Sequence, residues 1–176
     1  MLLYYAYSCG IGIKLIEVKN MRKKIKPYAV SIALALAVGG LSALLTRGNM
    51  DLFDSITKPP LTPPAAVFPV VWTILYILMG ISAAIVYTNS RGHERASALR
   101  VYALQLAVNF AWSLIFFNAR AFLFAFIWLL LLWALIILMI RRFANISPTA
   151  ARLQLPYLIW VSFAGYLTLA IYLLNR

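Results

Sequence analysis

The chain has 176 residues, 64% of them hydrophobic and 11% charged, with a mean hydropathy of +0.89. A water-soluble domain of this size cannot bury that much apolar surface, so the bilayer is the expected solvent. The net charge of +12 does not point to nucleic acid, because the lysines and arginines fall in short segments between apolar runs, as the positive-inside rule requires.

Residues 1–20, "MLLYYAYSCGIGIKLIEVKN", lack the basic start of a secretory signal. Met21, followed by "RKKIKPY", is the more natural beginning of a membrane protein. The first twenty residues are therefore read as an upstream extension, with an interfacial segment lying on the membrane as the alternative. They hold the only cysteine, Cys9, which excludes an internal disulfide.

A hydrocarbon core of about 30 Å needs about 20 apolar residues in a helix. The chain beyond residue 20 then accommodates five crossings, an all-α membrane bundle. The first span covers 27–46 and sets Ser31, Ala35, Gly39 and Ala43 at every fourth position, a seam for close helix approach. The loop that follows reads "KPPLTPP" from Lys58 to Pro64. The second span covers 63–87, with Thr62 suited to the N-cap and Pro63 to the first helical position.

The third span, 96–117, places Gln105, Asn109, Trp112 and Phe116 on one face. Amides at that depth are costly toward lipid, so this face is expected to turn inward. The fourth span, 121–140, lacks polar side chains and is expected to touch lipid widely. The fifth, 150–174, carries Tyr157, Trp160, Ala164 and Thr168 on a common face. The one histidine, His93, lies in the loop before the third span, so no cluster is left to hold a metal. The four acidic residues lie in loops or the terminus, which leaves no hydrolytic constellation within the spans.

Twelve of the 16 basic residues fall on the side of the amino terminus and the second and fourth loops; Arg47, Lys58, Arg120 and Arg176 fall opposite. The amino terminus is thus expected in the cytoplasm and the carboxyl terminus and proline-rich loop outside. Measured from the outer ends, Trp72 lies roughly 14 Å deep, Asn109 roughly 13 Å and Trp160 roughly 20 Å. Three helices bring aromatic or amide groups to similar depths. These groups either line a pocket or fill the bundle core, and position alone leaves both open.

"KPPLTPP…F…VWTILYILMG", "VNFAWSLIFFNAR" (Val108 to Arg120) and "LPYLIWVSFAGYL" (Leu155 to Leu167) resemble, in this order, motifs of the translocator protein family. That family comprises the tryptophan-rich sensory proteins and the peripheral benzodiazepine receptors. The resemblance covers essentially everything beyond the extension. It implies a five-helix bundle, often a homodimer, in a bacterial cell membrane, with a pocket capped by the first loop. By the same resemblance Phe68, Trp72, Tyr76, Asn109, Trp112, Phe124, Trp160 and Ala164 match pocket positions, and Lys58, Pro59, Pro63 and Pro64 belong to the lid.

Family members bind porphyrins and related tetrapyrroles, isoquinoline or benzodiazepine ligands and, in some cases, sterols. The implied function is a receptor or scavenger for a porphyrin, linked to stress regulation or transport. The alternatives are light-dependent porphyrin degradation with Trp72 and Trp160 as redox partners, and a sterol-binding, lipid-handling or partner-regulating bundle. No obligatory cofactor and no nucleic-acid partner are implied; the partners are the lipid membrane and a hydrophobic small molecule. Ala66 and Thr168 depart from the family pattern, where many members have tryptophan and asparagine. A weak sterol pattern can be read in Leu169, Tyr172 and Arg176. Lys58 and Arg47 suit the propionates of a tetrapyrrole at the outer mouth, or serve as plain surface charges.

Overall fold

In hydrocarbon every backbone N–H and C=O must pair within its own segment, so long apolar runs become helices. The computed structural model describes residues 25–49 and 51–176. Five helices in it are long and apolar enough to cross a membrane. They are α1 (Ile25–Asn49), α3 (Val67–Asn89), α4 (Gly92–Asn118), α5 (Phe122–Ile146), and a fifth crossing, Pro148–Leu174, made of α6 (Pro148–Arg152) and α7 (Leu155–Leu174). A short helix, α2 (Leu52–Ser55), sits in the first loop, and no strand occurs among the described residues. The extension at 1–20 lies outside the described residues.

The helix ends follow from local chemistry. Pro156 has no N–H to return to the carbonyl of Arg152, so the fifth crossing breaks into α6 and α7. Ser147 caps α6, accepting from the Ala150 N–H at 3.4 Å, with Pro148 at the first helical position. The last five residues of α4, Leu114–Asn118, widen into a π-helical turn. Arg120 then turns with φ of 52°, and a three-residue connection leads into α5.

The expected start of the second span is corrected. Thr62 does not cap it and Pro63 is not helical: α3 begins at Val67, after a turn closed by Val67 N–H to the Pro64 carbonyl at 2.9 Å. The cause is the second proline pair. A residue before proline is driven out of the α region, so Pro64 keeps Pro63 extended and Pro63 does the same to Thr62. The Thr62 hydroxyl instead donates to the Pro59 carbonyl at 2.6 Å, inside the loop.

Around the bundle, α5 packs between α4 and α7, and α3 lies against α4 and α6. Helix α1 joins through two glycines. A Cβ on Gly80 of α3 would meet the Ile32 Cα at 2.5 Å, and one on Gly39 of α1 would meet the Tyr76 ring. The small-residue seam of α1 is therefore real at Ala35 and Gly39, but it does not continue to Ala43, which is exposed. Steps of four residues turn 400°, so each rotates about 40° off the face. The buried line runs instead through Ala35, Ser42 and Thr46.

Leu123, Ile127, Leu130, Leu131 and Leu138 of α5 point out of the bundle, as expected of a lipid-facing helix. Its opposite stripe, Ala125, Leu129, Leu132, Ile136, Met139 and Phe143, is buried at helical spacing. The Trp128 indole N–H donates to the Val108 carbonyl at 2.8 Å, tying α5 to α4. The proline-rich loop is tied down as well. The Tyr166 hydroxyl donates to the Pro60 carbonyl at 3.1 Å, and the Asn175 amide exchanges two hydrogen bonds with the backbone of Thr57, at 2.8 and 3.0 Å.

Candidate ligand-binding site

Three helices each contribute one polar-aromatic stripe to the bundle interior. On α3 the stripe is Trp72, Tyr76 and Met79; on α4 it is Gln105, Asn109 and Trp112; on α7 it is Tyr157, Trp160 and Ala164. Spacings of three and four residues keep each stripe on one face. Gln105 is 0% exposed and Asn109 is 2% exposed, so the inward turn of the amide face holds.

Each amide has a partner from another helix. Asn109 donates to the Tyr76 hydroxyl at 3.0 Å. The Tyr157 hydroxyl donates to Gln105 Oε1 at 2.9 Å, and the Gln105 amide N–H approaches the Met79 sulfur at 3.8 Å. Thus α3, α4 and α7 are cross-linked by side chains at the level where the aromatic rings gather. An unpaired amide in hydrocarbon is costly, so these bonds fix the rotation of all three helices.

The rings form a wall over this network. Trp72 lies 5.7 Å from Tyr76, tilted by 33°, and meets Tyr157 edge-on at 6.2 Å. Phe68, one turn before Trp72, meets Trp160 edge-on at 5.9 Å. Trp112 turns to a second group, stacked on Phe116 at 5.3 Å, and Phe116 reaches Phe122 at the same separation. The π-turn that follows Trp112 sets Phe116 and Phe117 beside it, within 5.3 and 6.5 Å. The indole N–H groups of both Trp112 and Trp160 are buried with no hydrogen-bond partner among the described residues.

Seven of the eight pocket positions, Phe68, Trp72, Tyr76, Asn109, Trp112, Trp160 and Ala164, therefore face the interior or its rim. The structure does not bring Phe124 to them: it is 51% exposed on the outside of α5, packed on Trp128 at 5.8 Å. In the loop, Pro59 is buried while Lys58 and Pro64 are exposed and Pro63 is partly covered. His93 lies at the other end of the bundle, in the first turn of α4. Among the described residues no group of three or more His, Cys, Asp or Glu side chains is placed to hold a metal. The Gln105–Tyr157 pair was absent from the expected pocket set, although both residues lay on the faces read from the spacing. Their mutual register is what a single sequence does not contain.

A five-helix integral membrane bundle with a tryptophan- and amide-lined interior defines the class of protein. The model of the TspO/MBR family matches residues 31–174, and the chain belongs to that family. It is similar to the "Tryptophan-rich protein TspO" of Chlorobaculum tepidum, 38% identical over 157 residues, covering 88% of this chain and 99% of that one. It is also similar to the "Protein CrtK" of Rhodobacter capsulatus, 35% identical over 149 residues, covering 84% and 92% of the two chains. The "Translocator protein" of Bos taurus is 36% identical over 143 residues, covering 79% and 85%.

Proposed function

We propose that this protein is a membrane receptor or scavenger that takes a flat tetrapyrrole such as protoporphyrin into the interior site. The observation that carries the reading is the wall of Phe68, Trp72, Tyr76, Tyr157 and Trp160 set over a fixed amide network. Such a wall offers stacking faces to a planar apolar ring within the bundle. The unpartnered indole N–H groups of Trp112 and Trp160 supply donors for a polar substituent of the ligand.

The tethered proline loop supports the role of a lid. Prolines fix φ and leave little backbone freedom to lose when a ligand is covered. Leu61 at the tip takes φ of 70°, an unfavourable region for a leucine, and is 79% exposed. In this reading the lid and the carboxyl terminus lie outside the cell membrane and the amino terminus lies in the cytoplasm. Isoquinoline or benzodiazepine ligands would use the same wall, and two copies would associate as a homodimer.

Titration of the purified protein with protoporphyrin, followed by tryptophan quenching in the dark and in light, tests the proposal. Saturable binding with a stable porphyrin spectrum supports the receptor. Tryptophan-dependent bleaching of bound porphyrin in light would move the reading to the degradative enzyme. Absence of saturable binding would overturn both and leave a lipid-handling or partner-regulating bundle.

A further inference from the structure

The opposite end of the bundle carries a second feature. The first turns of α4 and the last turns of α5 border a half-open surface groove of about 210 Å³, lined by exposed His93, Glu94, Arg142 and Asn145 and half-buried Ser97 over an apolar floor of Ala98 and Ile146. Arg142 donates from Nη1 to the Ser97 hydroxyl at 3.1 Å, which holds the guanidinium across the groove. Glu94 lines the same groove, yet no ion pair joins it to Arg142 among the described residues. One positive and one negative charge thus line the same groove without an ion pair between them.

Depth identifies what meets this cleft. Arg142 lies 20 residues beyond Phe122 along α5, a rise of about 30 Å. That is one hydrocarbon thickness from the other end of the helix, at the boundary with the head-group region. Basic grooves between helices at that level take lipid head groups, and Arg91, Arg100, Arg141 and Arg152 add positive charge at the same end. Arg95 is turned elsewhere, over the Tyr87 ring at 4.3 Å and onto the Ser90 carbonyl.

We infer that this groove is a binding site for a lipid head group carrying both a phosphate and a primary ammonium, as in phosphatidylethanolamine. The phosphate meets the Arg142 guanidinium and the Asn145 amide through charge-assisted hydrogen bonds. The ammonium donates to the Glu94 carboxylate, and Ala98 and Ile146 meet the start of the acyl region. A purely anionic head group would leave Glu94 facing like charge. A choline head group has no N–H to donate, and the lining has no Trp, Tyr or Phe ring to cage it.

The test uses the full chain in detergent, exposed to equal amounts of phosphatidylethanolamine, phosphatidylglycerol and phosphatidylcholine with identical acyl chains. Retained lipid is counted by native mass spectrometry. Preferential retention of phosphatidylethanolamine is expected, weakened about tenfold in Arg142→Gln, which loses a charge-assisted bond. Arg142→Lys, keeping charge without the planar fork, should fall between the two. Glu94→Gln should erase the preference over phosphatidylglycerol while leaving total retention. Thermal melting of each variant confirms that it is folded. Equal retention of the three lipids, or unchanged retention in a folded Arg142→Gln protein, would overturn the inference. Displacement of the lipid by free phosphoethanolamine at matching concentration would overturn the lipid as the source of the head group.

Discussion

Gly39 of α1 lies so close to Tyr76 of α3 that a Cβ on it would sit 2.3 Å from the Tyr76 Cε2 atom. The Tyr76 hydroxyl in turn accepts the hydrogen bond from Asn109. A glycine with no chemistry of its own thereby sets the position of an aromatic wall residue and of the amide behind it. Gly39→Ala is expected to push the ring, lengthen the Asn109 bond and cost about 1–3 kcal/mol by overpacking. Gly40→Ala, with nothing within 4 Å of the new methyl group, should melt at or slightly above the native temperature, since alanine favours a helix over glycine by about 0.5–1 kcal/mol. The comparison needs thermal melts of both variants in one detergent, and equal melting temperatures would remove the constraint from Gly39.

Trp72→Ala and Trp160→Ala are each expected to weaken protoporphyrin binding. Stacking of a planar ring on an aromatic side chain is worth about 1–3 kcal/mol, or roughly 5- to 150-fold in affinity. Fluorescence titration of the two single variants decides the matter, and native affinity in both would remove the wall from the binding account.

Ala164 lies one turn from Trp160 on the inner face of α7. Ala164→Leu should fill the space a ligand needs while the bundle survives an overpacking cost of about 1–3 kcal/mol. A folded variant that still binds porphyrin normally would place the ligand elsewhere.

The Tyr157–Gln105 bond predicts a non-additive pair. Tyr157→Phe strips the donor from a buried amide oxygen and should cost about 0.6–2 kcal/mol. Adding Gln105→Leu removes the stranded acceptor and should recover much of that loss. A double-mutant cycle by thermal melting measures it, and strict additivity would show that the two side chains do not couple.

His93 lines the groove at the end of the bundle remote from the tryptophan wall. The wall's other candidate iron ligands are engaged, the Tyr76 hydroxyl with Asn109 and the Tyr157 hydroxyl and Met79 sulfur with Gln105. Metal-free protoporphyrin should therefore bind at least as tightly as haem, with stacking and polar contacts in place of an axial ligand. His93→Ala should alter neither affinity. A haem complex much tighter than the metal-free one, or one lost with His93, would relocate the site.

Much of the fold was legible because the bilayer dictates it: apolar runs of crossing length leave the backbone one solution. The inward faces of α4 and α7 were equally plain, since Gln105, Asn109, Tyr157 and Trp160 repeat at helical spacing and amides avoid lipid. What stayed hidden was geometry between helices. Nothing in a single sequence says that Tyr157 reaches Gln105, or that Trp128 ties α5 to the Val108 carbonyl. The start of α3 depends on a pair of prolines acting together: Pro64 holds Pro63 out of the helical region, which a preference for proline at the first helical position does not contain. The seam on α1 ends before Ala43 because a helix turns once in 3.6 residues, so residues spaced by four drift off one face.

The paired hydrogen bonds between Thr57 and Asn175 join the lid to the far end of the last helix. Anything done at that end of the chain is therefore mechanically transmitted to the mouth of the bundle. A chain cut before Asn175, or an affinity tag fused directly after Arg176, would free or crowd the hinge of the lid without touching a single residue of the wall. Proteins prepared with tags at opposite ends would then show different ligand on- and off-rates, with the same interior.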